Sequence, residues 1–111
     1  MELNLTRPLL FFDIESTGLN IATDGIIELC FVKVFPRPEG AEKNEVRVQT
    51  WRIQPWNYRE HRVISINPQA SEVNGIKDED LVGCPKFIEV LPDVAEWLQG
   101  SDLAGFNSAK F

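Results

Sequence analysis

The chain has 111 residues, of which 43% are hydrophobic and 25% charged, and its formal net charge is −6. This length suits a single domain with a modest core, and this composition excludes a disordered polymer. No apolar run approaches the roughly 20 residues of a membrane helix, and the first residues lack a signal peptide, so we predict a cytoplasmic protein without membrane contact. The negative charge argues against broad contact with duplex nucleic acid, but it does not exclude an enzyme that holds one strand end through metal ions.

Three strands are predicted in the first half of the chain. Residues 8–14 form an apolar run bounded by Pro8 and a turn at Gly18, which predicts a buried central strand. A second apolar run covers residues 26–35, and residues 46–53 alternate in polarity as a half-exposed strand does. Their spacing predicts that the second and third strands form a hairpin.

The second half is predicted to be mainly helical. Residues 56–67 have no clear period and are predicted to be a loop, whereas residues 69–74 form a short helix that stops at Gly75. A turn of helix is predicted for residues 78–81, and a longer helix opens at Pro85.

The buried face of the longer helix is predicted from apolar residues at helical spacing. These residues are Phe87, Leu91, Val94 and Leu98. Pro92 is expected to kink this helix or to restart it, and Gly100 ends it. Residues 102–106 are predicted to form a last short buried strand. The order of these elements predicts an α/β domain with a mixed sheet.

Two carboxylates stand one residue apart at the end of the first strand. Residues i and i+2 of a strand project to the same side, so Asp13 and Glu15 point together just before a Ser-Thr-Gly turn. Neighbouring anions repel each other, and a divalent cation held by oxygen ligands relieves this repulsion. The pair therefore predicts a metal site.

Other polar and aromatic residues have a structural and a functional interpretation. Glu28 either supports the site or simply faces solvent, and Cys30 is interpreted as a buried free thiol. The only histidine, His61, is interpreted as a surface residue rather than a general base. An aromatic and basic group either packs the hairpin, which is favoured, or binds nucleic acid, and it comprises Trp51, Trp56, Tyr58, Arg52, Arg59 and Arg62.

An ordered set of motifs resembles the DEDD (DnaQ-like) 3′–5′ exonuclease family. The family's first motif is a strand that ends in Asp-x-Glu-x-Thr-Gly, which Asp13, Glu15, Thr17 and Gly18 match. Further similar segments follow in the family's order, at residues 27–29, 74–81, 85–87 and 103–111. The resemblance implies an RNase H-like mixed sheet with flanking helices, with residues 1–111 as the N-terminal portion of a single exonuclease domain.

The chemistry that this resemblance implies is two-metal hydrolysis of phosphodiester bonds, with Mg²⁺ or Mn²⁺ ions about 3.5–4 Å apart. Asp13 is expected to bridge both ions, and Glu15 to bind the one that activates water. The residues expected to meet the terminal nucleotide are Ser16, Thr17, Gly18, Leu19, Asn107 and Phe111. The implied substrate is a single-stranded 3′ end of DNA, or of RNA in a trimming exoribonuclease, and a DNA polymerase subunit is a possible partner.

The sequence departs from the family at its end, because the third metal ligand of the family is an Asp that would follow Phe111. With two of four carboxylates and no general base, we expect this chain to be inactive alone and to bind Mg²⁺ weakly. We also expect self-association through an uncovered sheet edge and apolar face. The alternative is a non-catalytic nucleic-acid-binding or protein-interaction module that kept the fold.

Overall fold

The central feature of the fold is a mixed four-stranded sheet. A computed structural model of the chain describes residues 3–20 and 22–105. The strands of this sheet are β1 (Leu9–Ser16), β2 (Ile26–Val34), β3 (Val46–Arg52) and, last along the chain, β6 (Asp102–Gly105). Their order across the sheet is β3-β2-β1-β6. The first three strands are antiparallel, and β6 is parallel to β1. The prediction of a central first strand and of a hairpin between the next two is therefore confirmed.

The segment predicted as a loop contains a small second ladder. Strands β4 (Trp56–Asn57) and β5 (Arg62–Val63) pair antiparallel, so the prediction of a loop for residues 56–67 is wrong at these positions. Strands of two residues leave no period to detect, which explains the error.

Two α-helices and a 3₁₀ turn follow. Helix α1 (Pro68–Asn74) starts where the Asn67 side chain accepts a hydrogen bond from the Gln69 N–H (3.0 Å), and it ends at Gly75 with φ 72°. The 3₁₀ turn covers Asp78–Leu81, and helix α2 covers Phe87–Leu98. Helix α2 continues through Pro92, so the predicted restart there is wrong. In the part of the chain that the structure describes, no helix is long and apolar enough to cross a membrane.

Helix α2 packs on one face of the sheet, where the main core lies. The buried residues of this core are Leu10, Leu29, Phe31, Trp51, Ile53, Val90 and Val94. Trp97 joins them, with its ring centroid 6.1 Å from that of Trp51. The predicted helix face is partly wrong, because Leu91 and Leu98 remain 44% and 36% exposed. The helix face that packs on the core carries Val90, Val94 and Trp97, and the indole of Trp97 is larger than a leucine side chain.

The last described strand lies at the sheet edge. The strand predicted for residues 102–106 is present over Asp102–Gly105, but most of it is exposed, so the prediction that it is buried is wrong. Its register with β1 places Gly105 beside Phe12. A Cβ atom at residue 105 would lie 2.4 Å from Cζ of Phe12, so the close approach of these strands requires glycine.

Candidate active site

The two predicted carboxylates lie on the sheet face opposite α2. Leu10, Phe12 and Ile14 point into or pack against the core under α2. Because side chains alternate along a strand, Asp13 and Glu15 point to the other face. Asp13 is exposed and lies opposite Cys30, whereas Glu15 is half-buried and lies opposite Glu28. The period of the strand thus brings the two carboxylates together.

Glu15 has an unfavourable electrostatic environment. Its pKa is raised above the ordinary value, first because partial burial disfavours the charged form, and then because Asp13 and Glu28 are negatively charged neighbours. Glu28 itself forms an ion pair with Arg52, whose Nε lies 3.0 Å from Oε2. This row of charges extends over three strands and offers a place where a cation relieves repulsion.

The turn after β1 is fixed by hydrogen bonds of its own. Thr17 is fully buried, and its hydroxyl donates to Oδ1 of Asp24 (2.8 Å) and accepts from the Gly25 N–H (3.0 Å). The Ser16 hydroxyl donates to the carbonyl of Gly18 (2.6 Å). Gly18 is buried, and a Cβ atom there would lie 2.5 Å from Oδ2 of Asp24. The turn therefore needs Thr17 and Gly18 for its shape.

Leu19 is the predicted substrate-binding residue that this turn presents to solvent, because its side chain is 79% exposed. Asp24 holds the base of the same loop, since its second carboxylate oxygen accepts from the Asn20 N–H (2.9 Å). The loop between β1 and β2 is thus tied at its base while Leu19 stays accessible. Asn107 and Phe111 lie outside the described residues.

Helix α1 supports the turn from the side. The Asn67 N–H donates to the carbonyl of Thr17 (2.7 Å), and the Asn74 amide donates to the carbonyl of Ser16 (3.5 Å). These two bonds connect the start and the end of α1 to the residues that follow Glu15. Sequence reasoning missed Asp24 and Asn67, although both are residue types that cap helices and stabilise turns.

The other candidate residues from the sequence do not form one cluster. His61 is exposed at φ 54°, and Trp51 lies in the core under α2. Arg52, the next residue, points to the opposite face, so the aromatic and basic group is divided between two faces. Cys30 is half-buried beside Asp13 as a free thiol. Within residues 3–20 and 22–105, no three Cys, His, Asp or Glu side chains form a group that could hold a metal ion.

The sheet order, the helix on one face and the two carboxylates on the other define an RNase H-like nuclease fold. Solved structures agree with this class: an E. coli exonuclease I–ssDNA complex in its zinc ion-bound form matches with a TM-score of 0.72 at 14% identity. That match covers 96% of this chain and 22% of the other. The chain belongs to the exonuclease family, because residues 10–111 match the RNase T family model described as "Exonuclease".

Two DNA polymerase III proteins are similar to this chain. The chain is 34% identical over 100 residues to the PolC-type DNA polymerase III of Bacillus subtilis (strain 168), covering 90% of this chain and 6% of that protein. It is 30% identical over 97 residues to the epsilon subunit of DNA polymerase III from Treponema pallidum (strain Nichols), covering 87% and 39%. The chain therefore spans well under half the length of these relatives, and the resemblance to DnaQ-like exonucleases is confirmed.

Proposed function

We propose that residues 1–111 are the N-terminal portion of a single exonuclease domain that removes nucleotides from the 3′ end of single-stranded DNA. The observation that carries this proposal is the placement of Asp13 and Glu15 on one face at the end of the central strand. This strand begins at the start of the segment that matches the exonuclease family. A cytoplasmic location stays a prediction from the sequence.

The two carboxylates at this position would form part of the ligand set for two divalent cations, Mg²⁺ or Mn²⁺. Carboxylate oxygens are the ligands that these hard cations prefer. The pKa of Glu15 is raised first by burial and then by repulsion from Asp13 and Glu28, and a cation would relieve this repulsion. Asp13 and Glu15 would hold the ions, which supply activation of water and charge stabilisation at the phosphate. The zinc ion in the E. coli exonuclease I–ssDNA complex supports a metal-dependent reaction.

The residues after Glu15 position the substrate in this proposal. Leu19 contacts the terminal base, because it is the most exposed apolar side chain of the turn. Thr17 and Gly18 hold the turn in shape, and Ser16 fixes its first bend. Stacking on an apolar side chain accepts any base, as a general exonuclease requires.

A role in proofreading, in contact with a DNA polymerase, is the form of this activity that the relatives favour. The 30% identity to a DNA polymerase III epsilon subunit over 87% of the chain supports it. An RNA-trimming exoribonuclease or a non-catalytic binding module are the alternatives, and an assay with both DNA and RNA separates them.

The proposal predicts that a protein in which this chain continues to further ligands shortens DNA from its 3′ end. A single strand labelled at its 5′ end should yield a ladder of shorter labelled products in Mg²⁺ or Mn²⁺, and Asp13→Ala should abolish the ladder. The 111-residue chain alone should leave the same DNA intact. Release of a labelled 5′ mononucleotide as the first product would contradict the proposed direction, and trimming by the short chain would contradict its inactivity.

A further inference from the structure

A row of three charged side chains crosses the sheet on the face that carries Asp13. In the strand registers, Glu15 lies directly opposite Glu28, and Glu28 lies directly opposite Arg52. Directly opposed residues of antiparallel strands point to the same face, with Cβ atoms about 4.5–5.5 Å apart. The order of charges along the row is therefore negative, negative, positive, starting from the metal site.

Arg52, at the positive end of the row, forms an ion pair with Glu28 in the middle of the row. Nε of Arg52 lies 3.0 Å from Oε2 of Glu28, and the two side chains are 46% and 26% exposed. An ion pair at this exposure contributes little to the stability of a protein. Because Glu28 also lies opposite Glu15, this ion pair affects the charge beside Glu15.

We propose that Arg52 is a positioning residue that holds Glu28 out of the metal site and so keeps the affinity for divalent cations low. This inference rests on the proposed function, because it assumes that Asp13 and Glu15 hold the cation. While Arg52 neutralises Glu28, the site offers two carboxylates. Without Arg52, the freed carboxylate of Glu28 adds a negative charge beside Glu15 and becomes a possible third ligand.

The charges of the pair predict opposite effects for its two partners. Arg52→Gln should tighten binding of Mn²⁺, whereas Glu28→Gln should weaken it because an unpaired guanidinium then faces the cation. A unit charge roughly 8 Å from a divalent ion in a water-like dielectric changes its affinity on the order of fivefold. Arg52→Lys keeps the positive charge and should bind Mn²⁺ as tightly as the natural chain.

The experiment is a titration of the full 111-residue chain with Mn²⁺, in which electron paramagnetic resonance counts the free ion. Arg47→Gln is the matched control, because Arg47 lies on the same strand and pairs with Glu45 at 2.8 Å, but its side chain points to the opposite face. It makes the same change in net charge as Arg52→Gln. Asp13→Asn reports whether the ion binds at the proposed site, and far-UV circular dichroism confirms that each variant is folded.

The expected result is tighter binding by Arg52→Gln, weaker binding by Glu28→Gln, and no change for Arg47→Gln. Equal effects of Arg52→Gln and Arg47→Gln would mean that only the net charge of the chain matters, and this would overturn the inference. Unchanged or weaker Mn²⁺ binding by Arg52→Gln would overturn it as well. If one of these two results is found but Asp13→Asn still removes Mn²⁺ binding, the proposed metal site stands although the inference fails. If the natural chain binds no Mn²⁺, both fail together.

Discussion

At the scale of single residues, the folded chain disfavours the charged form of Glu15. Glu15 is half-buried and faces Glu28 across the ladder, and both the burial and the neighbouring charges raise its pKa. A folded state with a raised carboxyl pKa holds the proton more tightly than the unfolded state. The resulting stabilisation is complete below the unfolded pKa of this group and is lost as pH rises through the folded pKa.

Replacing the charge should therefore stabilise the metal-free chain at neutral pH. We expect Glu15→Gln to raise the free energy of unfolding at pH 7.5 by about 0.2–1 kcal/mol, the range for like charges directly opposite in a sheet. The gain should disappear at pH values below the ordinary pKa of a glutamate. Urea unfolding with a chelator present measures both values.

Glu72→Gln is the control for this prediction, because it makes the same chemical change at an exposed position on α1. Added Mn²⁺ should reverse the order, since it stabilises only the chain that retains Glu15. A variant that is less stable than the natural chain at pH 7.5 without metal would show that the charge of Glu15 is favourably placed.

The sequence predicted the pair of carboxylates but only part of what surrounds it. The period of a strand is enough to place Asp13 and Glu15 on one side. The position of Glu28 depends on the register between two strands, and a one-residue shift would have turned it to the core. The hydrogen bond from the Thr17 hydroxyl depends on the conformation of the loop that brings Asp24 next to it. Neither feature follows from local patterns.

At the scale of elements, strands with strong apolar runs were predicted to within about two residues. The predicted face of helix α2 was only partly right, because Phe87 and Val94 pack in the core but Leu91 and Leu98 do not. Either set of apolar residues has helical spacing, so the sequence alone does not choose between Leu91 and Val90. The choice is made by the sheet, where Phe31 and Trp51 receive Trp97. Tertiary packing thus decides what the period leaves open.

The contact between β1 and β6 depends on one glycine, and a single substitution tests it. Gly105→Ala places a Cβ atom 2.4 Å from Cζ of Phe12, and this ring packs against the main core and has little room to move. Overpacking of this kind costs about 1–3 kcal/mol. We expect a loss of stability of that size in thermal or urea unfolding.

A smaller partner residue should remove the cost. In a Phe12→Leu background, which shortens the side chain that Gly105 meets, Gly105→Ala should cost less than about 1 kcal/mol. The relevant comparison is between the two backgrounds, because Phe12→Leu also has its own effect. The same cost in both would show that the strain lies in the backbone of β6.

At the scale of the whole molecule, apolar side chains remain exposed beside β6, which is the edge strand of the sheet in the described residues. Trp97 and Glu96 line a cavity of about 340 Å³ with Lys33 and Arg47 of β2 and β3. At about 100° per residue, Leu91 and Leu98 therefore lie on the other flank of α2, toward β1 and β6. Leu103 is paired with Leu10, faces the same side of the sheet as α2, and is 58% exposed.

These three leucines predict self-association of the 111-residue chain at high concentration, because an apolar strip next to an edge strand invites a second copy. The net charge of −6 on each copy opposes contact, so association should strengthen as salt screens the repulsion. Sedimentation velocity at low salt and at higher salt measures this dependence. Leu103→Lys should shift the chain to monomer, whereas Val73→Lys, on the exposed surface of α1, should not. A compact monomer under all these conditions would mean that the strip is too small to hold a partner.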